Sequence, residues 1–291
     1  MIYEGAIDCV IGRPPPGPGD PVLVSSNDRE IFAWGVFNPN SLYRVRVMQT
    51  KGEVERDGGA LLLQPEAVLR ARIRAAAELR QQLCLPSSDT TVYRLVNSEG
   101  DRLSGLVVDI LGDSAVCASS AAWVERHRAV VEEEVRAASG CSELIWRPSL
   151  DMLKEEGVAP AHHEEQEQEE QREVVVQEAG VSYWANPRGQ KTGFYADQRD
   201  SRVFIRDLAR GKRVLDLCCY SGGFALNAAI GGAAEVLGVD SSQEAVQLAA
   251  RNAELNGVEH RARFVRSDIE SFMKVCLGTW QRDSLSALGA A

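Results

Sequence analysis

The sequence predicts an α/β chain in three parts: a small N-terminal β domain, a small central α+β domain, and the opening half of a doubly wound parallel-sheet domain. Three observations predict it. Short apolar stretches broken by Gly and Pro fill the first fifty residues, mixed strand and helix patterns run on to residue 157, and a strand, glycine turn and helix follow in order from Lys212. The 291 residues, 44% of them hydrophobic, are enough for two or three modest cores.

Several classes are disfavoured at once. No run approaches the roughly 18 consecutive apolar residues of a membrane span, and MIYEGAIDCV lacks the basic-then-apolar order of a secretory signal. The seven cysteines are odd in number and contain no C-x-x-C pair, unlike a disulfide framework or a zinc cluster. The expectation is an intracellular chain with no metal, cytoplasmic or, if an address precedes Met1, organellar. A net charge of −10 by itself opposes a nucleic-acid partner, but it is local. Asp151 to Gly180 holds ten acids against two bases, whereas Arg188 to Arg213 holds eight bases against three acids. That basic stripe can face phosphate.

In chain order, GRPPPGPGDP from Gly12 reads as a loop, and Val22 to Val24 and Ile31 to Val36 read as strands of a β domain over 1–52. Tyr43 to Val47 alternates, which puts Arg44 and Arg46 on one face, either gripping RNA phosphates or simply solvated. Pro65 to Leu83 has helical period, with Leu69, Ile73, Ala76 and Leu83 near one face. It leads into a central domain ending at residue 157, with strands at Val92 to Val96, Leu106 to Ile110 and Ala115 to Ser119 and a helix from Trp123 to Ala138. His127, inside that helix, is expected to pack rather than to ligate, because no acid or cysteine lies at a useful spacing. Residues 158–180 include HHEEQEQEEQRE, a self-repelling stretch expected to be a solvated linker. Its adjacent His162 and His163 point different ways on any regular element, which disfavours a metal site.

From residue 181 to 291 the chain turns to chemistry. Arg213 to Leu217 is a buried-strand pattern ending in Cys218-Cys219-Tyr220-Ser221-Gly222-Gly223 and a helix from Phe224 to Ile230. Glycine lets a ligand approach the backbone, and a helix N-terminus supplies free N–H groups. A second strand, Ala234 to Val239, ends in Asp240, placed to accept from ribose hydroxyls. A third, Ala262 to Val265, is followed by Asp268, which either meets an adenine amino group or caps the helix from Ile269 to Met273. A dinucleotide site wants G-x-G-x-x-G to cradle a pyrophosphate, and C-C-Y-S-G-G lacks it. S-adenosylmethionine (SAM) has no pyrophosphate, and Asp216 suits its positively charged end, so SAM is preferred over NAD. Cys218 and Cys219 read as small packing residues.

The stretch GQKTGFYADQRDSR (Gly189 to Arg202), together with VLDLCCYSGGFALNAAIGGAAEVLGVDSSQEAVQLAARNAELNG, resembles the bacterial ribosomal RNA large-subunit cytosine-5 methyltransferases that carry a PUA domain. GVFNPNSLYRVRV, YRLVNSEGDRLSGLVVDILGD and RPSLDMLKEEG are similar to that family's earlier segments, so the likeness covers about residues 3 to 272. It implies a PUA-like N-terminal β domain, a small central α+β domain that helps hold RNA, and a Rossmann-like SAM-dependent methyltransferase domain. It further implies that Lys191 to Arg202 lies over the cofactor, with Gln198 and Arg199 close to it. Cofactor contacts are thus expected at Gln198, Asp216, Tyr220, Ser221, Gly222, Asp240 and Asp268, and RNA contacts at Arg44, Arg46, Arg188 and Lys191.

The same resemblance implies a D-P-P motif that orients the base and a later cysteine that attacks C6 of cytosine. The last proline here is Pro187, so no D-P-P follows Asp268, and Cys276 lies in a tail without strand pattern. The expectation is therefore no catalytic residue in this chain, truncated at the C-terminus and clipped at the N-terminus, and inactive alone. The alternative is a non-catalytic RNA-binding protein.

Overall fold

In the computed structural model, which describes residues 1–56, 63–158, 173–189 and 192–274, the chain divides into two compact units. Residues 1–87, 91–172 and 186–194 make the first, and 88–90, 173–185 and 195–291 the second.

The first unit begins with an antiparallel sheet, β1 (Asp20–Ser25), β2 (Ile31–Phe37) and β3 (Val45–Thr50), in that order. Tyr43 and Arg44, expected in the last strand, precede it. Helix α1 (Lys51–Arg56) follows, then α2 (Pro65–Gln82) with Pro65 in its first turn, where a missing N–H costs nothing. Leu69, Ile73 and Ala76 are buried as their spacing requires, but Leu83 caps the helix and is 59% exposed. Arg80 takes the inward place one turn earlier, its guanidinium in a two-bonded pair with Asp101 at 2.7 Å.

A four-stranded sheet follows in the order β4 (Val92–Asn97), β5 (Leu106–Leu111), β6 (Ser114–Ser119), β7 (Glu143–Pro148), antiparallel except for the parallel last pair. The helix expected over Trp123 to Ala138 is two helices, α3 (Ala122–Arg126) and α4 (Arg128–Ser139), broken at His127, whose ψ of 21° leaves the helical range. His127 does meet an acid: Glu66 of α2 is 3.7 Å from its Nδ1, a long-range partner that local spacing could not reveal. Burial lowers the His127 pKa, against the pull of Glu66. Glu134 of α4 is clamped by Arg70 at 2.7 Å and Arg74 at 2.9 Å, tying α4 to α2. Helix α5 (Leu150–Glu155) closes this part.

One hydrophobic cluster runs from Trp34, Val36 and Met48 of the N-terminal sheet through Leu69 and Ile73 of α2 to Leu106, Val108 and Trp146. Segments 1–52 and 65–157, expected as separate domains, therefore share one core.

In the second unit β8 (Val174–Glu178) falls within the expected linker 158–180 and forms a hairpin with β9 (Val181–Ala185) just beyond it, while 159–172, with His162 and His163, lie outside the described residues. Then come α6 (Arg199–Leu208), β10 (Arg213–Leu217), α7 (Gly223–Ile230), β11 (Glu235–Asp240), α8 (Gln243–Leu255), β12 (Ala262–Arg266) and a helical turn at 269–274. Strands β10, β11 and β12 pair in that order, all parallel, as helix crossovers between strands require. Among the described residues no helix is long and apolar enough to cross a membrane.

Candidate cofactor site

Parallel register sets the site. Leu217 of β10 pairs with Val239 of β11, so the turn after β10 and the tip of β11 emerge together at the carboxyl ends of the strands. The turn is held by that tip: Asp240 accepts from the Tyr220 amide at 2.9 Å through one oxygen and from the Ser242 amide at 3.0 Å through the other. Cys218 and Tyr220 adopt left-handed φ values of 61° and 46°, a bend that such anchoring over-determines. Gly222 follows at φ +81°, and a Cβ there would lie 3.1 Å from Ala249 and 3.2 Å from Phe264. Only glycine suits both the conformation and the space.

Asp216 accepts from the Ala225 amide in the first turn of α7 at 3.0 Å. Burial raises its pKa to about 6, the neighbouring Asp240 also raising it while the Ala225 amide and Arg202 pull down. Ser221 is buried, and its carbonyl is held by Asn252 Nδ2 at 3.0 Å. Of the two cysteines, Cys219 is buried, its thiol pushed up to about 12 by burial, with the nearby carboxylates of Asp216 and Asp240 adding to the rise. Cys218 is exposed, so the packing role expected of both holds for Cys219 only.

Gln198 closes a 3-10 turn over Ala196–Gln198, half-buried, and Arg199 starts α6 beside Asp200 at 3.3 Å. Tyr195, immediately before that turn, packs edge-on against the Tyr220 ring at 5.1 Å, which brings the segment to the glycine loop. Asp268 lies at the end of β12 and accepts from the Ser271 amide at 3.0 Å, so it caps the turn at 269–274. The cap occupies Oδ1 and does not exclude the adenine contact.

The basic residues separate. Arg46 is only 8% exposed: its Nη2 donates to Glu156 at 2.7 Å and its Nη1 to Ser104. Its guanidinium is thus consumed inside the first unit and is not offered to phosphate beside Arg44, because Glu156 is a buried acid that requires a partner. Arg44 pairs with the exposed Glu4, and Arg188 lies 3.5 Å from Glu143. Lys191 and Cys276 lie outside the described residues.

Arg202 and Arg206 also leave the expected stripe. Arg202 donates to both oxygens of Glu178 at 2.9 and 2.7 Å, and Arg206 donates to Asn227 and to the Ala179 carbonyl. Meanwhile Phe204, between them, is 61% exposed. Sequence reasoning missed Glu178 and Asn252, and it included Tyr195 and Arg202 in the segment over the cofactor without giving either a role. An inward Arg at i and i+4 with an outward Phe inverts the usual amphipathic rule, and the deciding acid lies on a distant hairpin.

This constellation can be set beside known proteins. The S-adenosylmethionine-dependent methyltransferase family matches residues 164–276. Ribosomal RNA large subunit methyltransferase I of Aeromonas salmonicida is 33% identical over 275 residues, 94% of this chain and 67% of that protein. The chain belongs to the ribosomal RNA large subunit methyltransferase I family. The counterpart from Tolumonas auensis is 32% identical over 276 residues. A putative SAM-dependent methyltransferase from Streptococcus mutans superposes with a TM-score of 0.72 at 21% identity, over 90% of this chain and 66% of that one. A putative methyltransferase solved in complex with SAH gives 0.73 at 21% identity, over 90% of this chain and 65% of the other; both likenesses concern the fold. The chain thus spans about two thirds of the length of its relatives.

S-adenosylmethionine is the family's cofactor. The residues present fit it: a glycine cradle that a Cβ would fill, two carboxylates at strand tips, and the N-terminus of α7.

Proposed function

We propose that the second unit binds SAM for methyl transfer to large-subunit ribosomal RNA, at C5 of a cytosine. The single observation carrying the cofactor part is the convergence of Asp216, Tyr220, Ser221, Gly222 and Asp240 at the ends of β10 and β11. Bound there, SAM would supply an activated methyl group on a sulfonium. At neutral pH Asp216 lies above its pKa of about 6 and offers a negative carboxylate to the cationic end of the ligand. Asp240 serves the ribose hydroxyls, since a carboxylate holding two amides retains lone pairs. Gln198 and Asp268 complete the contacts on the two flanks.

The RNA, ribosomal by analogy with the relatives' names, is held by a PUA-like N-terminal region and the central part. Arg44, Arg188 and Lys191 contact phosphates, and binding weakens with salt in proportion to their number.

A second reading concerns these 291 residues by themselves. Cytosine C5 is a weak nucleophile until a thiolate adds at C6, and no D-P-P follows Asp268. Cys219 does not substitute, since its thiol is protonated at neutral pH. In this second reading the 291 residues act as a binding module that holds RNA and SAM.

Calorimetry with SAM tests the cofactor reading. Asp240→Ala weakens binding by about 1.5 to 3 kcal/mol for each charged hydrogen bond lost; an unchanged affinity removes the ribose role. Labelled SAM and unmodified ribosomal RNA test the rest. Methyl incorporation at cytosine by the 291 residues would defeat the binding-module reading and make Cys276→Ser the next variant.

A further inference from the structure

Among the described residues of the second unit, the most enclosed charges are not among the expected cofactor ligands. Glu178, at the end of β8, is 1% exposed and Arg202, in the first turn of α6, is 4% exposed. An ion pair of this kind contributes little net stability, because desolvation of both charges offsets their attraction. A buried pair of that kind is better explained by what it holds in place.

What Arg202 holds is the approach to the glycine loop. One guanidinium nitrogen takes both carboxylate oxygens of Glu178, at 2.9 and 2.7 Å, and the other donates to the Tyr195 carbonyl at 2.9 Å. Tyr195 in turn sets its ring edge-on to Tyr220, whose amide is fixed by Asp240. On its other side the guanidinium carbon stands 5.8 Å from the Phe224 ring, and a Cβ on Gly223 would meet its Nε at 2.6 Å. The same side chain thus touches both the segment before α6 and the start of α7. The planar fork suits this task, since two donors leave it in fixed directions.

We propose that Arg202, oriented by Glu178, is a positioning residue for the cofactor loop: by fixing the Tyr195 carbonyl it presses the Tyr195 ring against Tyr220 and presets the turn Cys218–Gly222 for SAM. The proposal rests on the cofactor reading above. Loss of the fork leaves the loop free to sample other conformations, and affinity falls by the fraction of time it is out of place.

The test is a double-mutant cycle on SAM affinity, using the 291-residue chain. Arg202→Lys keeps the charge beside Glu178 but cannot serve the carboxylate and the Tyr195 carbonyl together, and the expected loss is about tenfold, one hydrogen bond's worth. Tyr195→Ala removes the ring and weakens binding similarly. The double variant binds no worse than Tyr195→Ala alone, because both changes act through one route. A merely structural Arg202 gives additive losses, which overturns the proposal, as does wild-type affinity in Arg202→Lys. Should Arg202→Lys fail to fold, Tyr195→Ala decides: binding equal to wild type overturns the proposal. If the unsubstituted chain binds no SAM, the cofactor reading fails, and the proposal with it; binding that is insensitive to both variants defeats the proposal alone.

Discussion

Strands β5 and β10 are both short and apolar, LVVDIL and RVLDL, and each carries an aspartate as its penultimate or near-penultimate residue. Their surroundings differ. Strand β5 pairs on both sides, with β4 and β6, and every residue but Val107 is buried. Strand β10 pairs with β11 alone among the described residues, and Leu215 and Leu217 are 46% and 37% exposed. The aspartates diverge likewise. Asp109 is fully enclosed and answered by Arg94 at 2.8 Å and Thr192 at 2.6 Å, whereas Asp216 has an amide and a raised pKa. An apolar strand sequence announces that burial is available to it, and neighbours decide whether burial occurs.

The largest expected effect sharpens this contrast on the buried side. Arg46→Ala strands Glu156 without its partner and costs about 3 to 5 kcal/mol of stability in urea unfolding. Burial raises the Glu156 pKa, but Arg46 together with the Ala122 amide and Ser41 outweighs it and holds the carboxyl below its ordinary value of 4.5. The stabilisation is therefore present above pH 4.5 and is lost as pH falls through the lowered folded value. A loss under about 1 kcal/mol would mean the pair is solvated.

Next come the strands themselves. Leu106→Ala in β5 removes a side chain with no exposure and costs about 2 to 5 kcal/mol. The matching Leu215→Ala in β10 costs under about 1 kcal/mol, since half of its surface is already wet. Equal costs would break the comparison and show that β10 is covered in solution.

The pH response of Asp216 sharpens the comparison from the other side. Because its folded pKa of about 6 lies above the unfolded value of 3.8, its contribution to stability is complete below 3.8 and is lost as pH rises through about 6. Cofactor affinity should run the opposite way, weakening as pH falls below 6 and the carboxylate is protonated. Asp216→Asn flattens both profiles; a variant that keeps either slope assigns it to another group.

Much of the site was legible beforehand because its geometry is local. Asp216, Gly222 and Asp240 fall at strand ends and in a turn, and the alternation of strand and helix places those ends together. The basic residues expected to face RNA were less legible. Arg44 and Arg46 differ by two positions, yet one meets the exposed Glu4 and the other the buried Glu156. No local pattern distinguishes them, since Glu156 lies 110 residues further along the chain.

From the sequence by itself come the α/β class, the parallel sense of β10, β11 and β12, the glycine turn and the acids at its rim. Periodicity and turn chemistry determine these, acting within a few residues. Only the tertiary structure decided that the N-terminal sheet and the central strands share one core, that α3 and α4 part at His127 against Glu66, and that Arg46, Arg202 and Arg206 turn inward. A charged side chain goes where its compensating charge or carbonyl lies, and long-range folding brings those partners within reach.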